Sequence, residues 1–297
     1  MRTIILNQGN LVPDGQNNKL VYRFPNSVRL DDAYLAVSSV VMYYSWFNIT
    51  SSLVNNTFSY NWITGAGPAV TYTITVPNGL YEISTLNQLL QFTMIQNGHY
   101  LVDGAGNNVY YAEFLVNTAR YAVQINTFLV PLALPAGFSN PAGLVFPLTT
   151  FNPIITLPAN INKIFGFVAG FATDQNLNNL FVPPVSEYVS KLANGTLSYI
   201  STTSPQVQPN SSVLLNISNI DNYYAQPTGI IYTIVPNVAV GEIISEKPPQ
   251  FAWNKMINGT YNELRMNILG TDLSPITIND PAMTFILVIA QKEEIGG

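Results

Sequence analysis

His99 is the only histidine of the chain, and most catalytic constellations would have to pass through it. A Ser–His–acid set needs it, and so does an imidazole general base. It follows Gly98 at the end of a helical pattern, where an imidazole usually meets the last carbonyls. It is therefore read as structural. Cysteine is absent, which removes disulfides, redox thiols, thiolate zinc sites and a cysteine nucleophile. No GxSxG, HExxH, GxGxxG or Walker sequence occurs. Asp31, Asp32, Glu82, Glu113, Glu242 and Glu263 could supply the two carboxylates of a glycosidase. The sequence favours no pair among them, and Asp31-Asp32 reads as the solvated start of a strand. Asp103 to Asn108 (DGAGNN) has the flavour of a calcium loop, but Ala105 and Phe114 stand where that loop needs oxygen ligands. A hairpin turn is the better reading. Trp46, Trp62 and Trp253 could stack on sugars, although such rings in β proteins more often fill cores or interfaces. No catalytic, metal-ligating or cofactor-binding residue is assigned.

The elements around these residues are organised about Val70 to Gly98. Tyr72, Ile74 and Val76 alternate as in a strand, and Pro77-Asn78-Gly79 ends it. Leu86, Leu89, Leu90, Thr93 and Met94 then fall on one face of a helix over Thr85–Asn97, with Ser84 as N-cap and Gly98 just past the end. A lone amphipathic helix must bury its stripe, so it is expected to buttress a β-sandwich.

Only 9% of the 297 residues are charged, against about 25% in ordinary soluble proteins. Tyr, Phe, Asn and Thr take their place. Either a secreted β protein or a subunit covered by neighbours fits, since interface cores are poor in charge. The net charge of −5 and the absence of any Lys/Arg run argue against nucleic-acid binding through a basic face. No signal peptide is expected from the few apolar residues after Arg2, and no run is long enough to span a bilayer. Sequons begin at Asn48, Asn55, Asn194, Asn210, Asn216 and Asn258, and in an Asn-rich chain chance explains them best. The lack of cysteine suits assembly in a reducing cytoplasm.

Strands are expected at Thr3–Leu6, Leu20–Phe24 (closed by Pro25), Leu35–Phe47, Asn56–Ile63 and Val70–Val76. After the helix come a hairpin at Tyr100–Val102 and Val109–Val116, then Arg120–Ile125. The proline-rich stretch from Thr127 to Pro158 reads as a long connection. Ile161–Phe165 reads as one helical turn. Gly170 to Gln208 is polar and poorly patterned, with a short helix at Glu187–Leu192 and a strand at Leu197–Ile200. It is expected to be peripheral, part of an insertion within residues 127–208. Strands resume at Ser212–Ile217, Ile230–Val235, Glu242–Ser245, Leu264–Leu269, Ile276–Ile278 and Met283–Ala290. This makes an all-β sandwich or barrel, one domain over residues 1–297, whose long apolar terminal strands should lie close together.

Three blocks carry a family resemblance. Tyr34 to Ile49 is an apolar strand ending in Tyr44-Ser45-Trp46-x-Asn48-Ile49. Pro77-x-Gly79-x-Tyr81 leads into the helix. Leu264 to Ile289 runs strand, turn, short strand, Asp280-Pro281, strand. In order and spacing they resemble the penton (minor capsid) proteins of virophages and Polinton/Maverick-type elements, the mavirus type most of all. The resemblance implies a single jelly roll with sheets BIDG and CHEF, long loops and no enzyme activity. It implies a homopentamer at the fivefold vertices of an icosahedral virion, beside a double jelly-roll major capsid protein. The alternative in the same fold class is a carbohydrate-binding or spike module.

Overall fold

The computed structural model describes residues 1–173, 195–207, 210–222 and 225–295. The first half contains β1 (Arg2–Leu6), β2 (Lys19–Leu30), β3 (Ala33–Tyr43), β4 (Thr57–Ile63), β5 (Ala69–Thr75) and α1 (Ile83–Gln96). There follow β6 (Tyr100–Val102), β7 (Asn108–Tyr110), β8 (Ala112–Asn117), β9 (Ala122–Thr127), β10 (Ile155–Leu157), α2 (Asn162–Phe165), β11 (Phe171–Ala172) and β12 (Leu197–Ile200). The last part holds β13 (Val213–Ile217), β14 (Ile230–Ile234), β15 (Ile243–Glu246), β16 (Asn254–Lys255), β17 (Gly259–Leu269) and β18 (Thr284–Gln291). The chain forms two compact units, one from residues 1–47 and 208–297, the other from 48–207.

The first unit holds two antiparallel sheets, ordered β1-β18-β3-β15 and β14-β13-β17-β2, with β16 also on β3. Each strand alternates so that one side is apolar, and those sides share a single core including Leu6, Leu35, Leu215, Ile268 and Phe285. The terminal strands do meet, Arg2 opposite Ile289 through Leu6 opposite Phe285. Pro25 does not close β2 as expected. The strand is at a sheet edge, and its register with β17 shifts between Tyr261 and Glu263, so Pro25 lies where no ladder bond is needed. The expected strand Ile276–Ile278 is reduced to isolated bridges, Trp46 to Ile278 and Leu269 to Pro275.

The second unit has its own core. Its sheets are ordered β11-β10-β4-β5, β12-β9-β8 and β6-β7. Phe58, Tyr60 and Trp62 of β4 point inward, as their alternation requires. Helix α1 buries Ile83, Leu86, Leu90 and Met94 in this core and packs chiefly on β8. It thus buttresses a sheet of the second unit rather than the eight-stranded sandwich. Burial of each such side chain contributes about 1.5–3 kcal/mol. The helix begins earlier than Ser84, with Glu82 as N-cap and no side-chain cap. Its other end is as expected. Gly98 has φ +71°, Gly98 N donates to Ile95 O and His99 N to Met94 O, a Schellman closure that Gly makes without strain. The described parts of Gly170–Gln208 are not peripheral. Phe171 and Tyr199 are buried in the core, and β12 pairs with β9 along its length. The strand expected at Leu197–Ile200 forms with those bounds, and its polar Ser198 lies opposite Asn126 on β9. The expected helix at Glu187–Leu192 lies outside the described residues.

Candidate functional site

His99 sits 4% exposed in an aromatic cage. Its ring stacks on Trp62 at 4.3 Å and 9°, and meets Tyr60 and Tyr72 edge-on. Its Nδ1 lies 2.9 Å from the Tyr60 hydroxyl. It does not turn back to the helix carbonyls; the backbone closure at Gly98 and its own N–H already serves them. Burial lowers its pKa from 6.5 to about 4, and burial also holds the Tyr60 hydroxyl well above the usual phenol range. The neutral ring therefore accepts from a hydroxyl that stays protonated. That arrangement fixes a core contact; it does not activate a nucleophile.

The carboxylates have separate partners. Asp31 is held by Arg29, Asp32 by Lys255, and Glu263 by Arg265 with Arg23 further off. Glu242 accepts from Ala239 N, and Glu82 stands at the start of α1. Asp103 caps its own turn, accepting from Ala105 N and Asn107 N at 2.9 Å each, between paired β6 and β7. Among the described residues no three His, Asp or Glu groups converge on a metal position. Trp46 and Trp62 are buried; Trp253 is half-buried beside the exposed Phe251.

Glu113 is the exception. It is 2% exposed and accepts from Asn126 Nδ2 at 2.8 Å. Asn126 Oδ1 in turn accepts from Gln124 Nε2 and Ser198 Oγ, and Gln124 Oε1 accepts from Asn117 Nδ2. Strand register brings these together: Glu113, Asn126 and Ser198 lie opposite one another on β8, β9 and β12. One face of this sheet is thus a buried polar ladder. The sequence carries the signal in β9, where Gln124 and Asn126 stand at period two, although the strand is expected there to stop at Ile125.

The sequence blocks of the family resemblance have a physical role at one short segment. Ser45 O accepts from Asn279 N, Phe47 N donates to Thr277 O, and the Trp46 indole donates to Asn210 O at 3.3 Å, all within the first unit. From Asn48 on, the partners belong to the second unit. Asn48 Nδ2 donates to Tyr81 O at 2.8 Å and to Val207 O at 2.7 Å, and its Oδ1 accepts from Tyr81 N. Asn48 and Ile49 donate to Gly79 O. A Cβ on Gly79 would lie 2.8 Å from Cε2 of Tyr81, which explains Gly before Tyr in that turn. Asn48 therefore clasps the two ends of the second unit, where the chain arrives and where it leaves. Asn48 and Asn55 are 1% and 7% exposed and fully engaged, so those two sequons cannot carry a glycan in this fold. Asn194 lies outside the described residues.

No protein-family model matches the chain, and no curated protein does. Among solved structures it is similar to the mavirus penton protein, with 11% identity and a TM-score of 0.41 over 97% of this chain and 96% of that one. It is also similar to a chain of the Sputnik virophage particle, with 12% identity and a TM-score of 0.39 over 99% of each.

Proposed function

We propose that the chain is a structural capsid subunit of penton type, a homopentamer at the fivefold vertices of an icosahedral virion, and not an enzyme. The strand order of the first unit carries this reading. Lettering its eight main strands B to I in chain order, β1, β2, β3, β13, β14, β15, β17 and β18, turns the two sheets into B-I-D-G and F-E-H-C. That is the order of a single jelly roll, and the second unit then lies in the chain between strands D and E. On this reading residues 1–297 are one jelly-roll capsid domain with a large insertion, longer than the 127–208 expected from composition. The low charge supports burial among neighbours. The number five and the double jelly-roll major capsid partner follow from the family resemblance. A ring needs heterologous contacts, each burying upward of about 1,000 Å² if specific. Electron microscopy of assembled particles tests the reading: density for this chain is expected on fivefold positions, and density at other positions, or none, would refute it.

A further inference from the structure

We propose that the free edge of β5 pairs with the same edge of a second copy, joining two chains into one continuous antiparallel sheet. β5 is the last strand of its sheet. Val76 N donates to Asn56 O, which sets the phase of the ladder with β4. Hydrogen-bonded pairs alternate in an antiparallel ladder. Residues 70, 72 and 74 therefore bond to β4, while the N–H and C=O of Ala69, Thr71, Thr73 and Thr75 point away from it. Those four residues make no backbone bond to any other described element.

Edge strands are normally blunted by Lys, Pro, a bulge or a cover. β5 has none of these. Its register with β4 is unbroken from Thr57–Thr75 to Ile63–Ala69, its outward residues are exposed, and no charged residue lies between Asp32 and Glu82. Such an edge accepts an extended, uncharged strand. The strand itself is the best match. Antiparallel pairing about Tyr72 uses all four outward residues at once, Thr71 opposite Thr73 and Ala69 opposite Thr75. On the other side it sets the exposed Val70 (48%) against Ile74, and Tyr72 against its own copy. Thr–Thr and aromatic cross-strand pairs are favourable, and a strand without charge cannot repel itself. The contact is twofold and isologous, so it is separate from the heterologous contacts of a ring.

The test compares particle mass by light scattering across a dilution series for the full chain and for Thr73→Pro. Proline removes an outward N–H that bonds nothing in the subunit, and edge strands tolerate it. The mass is expected to halve while the melting temperature holds, whether the starting species is a dimer or a pair of rings. An unchanged mass would overturn the pairing, and an unchanged pentamer mass would do so while supporting the vertex reading. Single-cysteine variants provide a second measurement, because the chain has no cysteine of its own. Mixing Thr71→Cys with Thr73→Cys should give a disulfide dimer under mild oxidation, since opposed Cα atoms fall within disulfide range. Equal cross-linking of either variant alone would show that the register is wrong.

Discussion

A buried neutral histidine makes stability depend on pH in a direction that can be stated in advance. His99 binds its proton at about 4 in the fold and at about 6.5 when unfolded. The folded state holds fewer protons in that window, so the contribution is complete above the unfolded value and is lost as pH falls through the interval. The total is about 3 kcal/mol at most, at about 1.4 kcal/mol per unit of pKa. Denaturant midpoints measured from pH 7 to pH 4 should fall, and His99→Phe should flatten that slope while losing the Tyr60 bond. Asn126 is the other residue with high stakes. Truncating it to Ala removes one hydrogen-bond partner from each of Glu113, Gln124 and Ser198 at once. A lost buried hydrogen bond costs about 1 kcal/mol or more, so Asn126→Ala is expected to lower stability measurably by chemical denaturation.

Among elements, α1 and the turn before it are the sharpest tests. Leu90 is fully buried on α1, and Leu90→Asp would place an unpaired charge in the core. Loss of soluble protein is expected; a soluble variant with the wild-type melting temperature would show that this face is not buried. Gly79→Ala forces Tyr81 aside and should cost about 1–3 kcal/mol as a local clash. These elements were legible in the sequence because their patterns are local. The apolar stripe Leu86, Leu90 and Met94, the alternation in β4, the apolar run of β18, and the glycine at φ +71° each act within a few residues. What could not be read is set by distance along the chain. The hydrogen bonds of Asn48 reach 33 and 159 residues away, so nothing near it marks it as a clasp. Which sheet the helix packs on is likewise not legible: periodicity tells which face is buried, not against what. Proline in β2 points to a strand end because edge position appears only once strands are paired.

At the scale of the whole molecule, the two cores share no residue. Residues 48–207 are continuous in sequence and contain one tryptophan, Trp62, which is 1% exposed. Expressed alone, this segment is expected to fold with a cooperative melt and the emission of a buried indole. A noncooperative melt with solvent-exposed emission would show that its core depends on the first unit. The same separation explains the low charge only in part. Four ion pairs formed by Arg29, Lys255, Arg265 and Lys19 belong to the first unit, so the second unit is the more neutral of the two.

The clasp at Asn48 also bears on how such a chain can change. Trp46 touches Asn210, and Asn48 touches Val207, so both flanks of the excursion are close-set. For the two strands that carry it, β3 and β13, the excursion acts as a short connection, because loop-closure entropy grows only slowly with loop length. The position between β3 and β13 is then a socket. A foreign domain with adjacent termini could be seated there and carried by the eight-stranded scaffold, and recombination in nature could exchange whole modules at the same two peptide bonds.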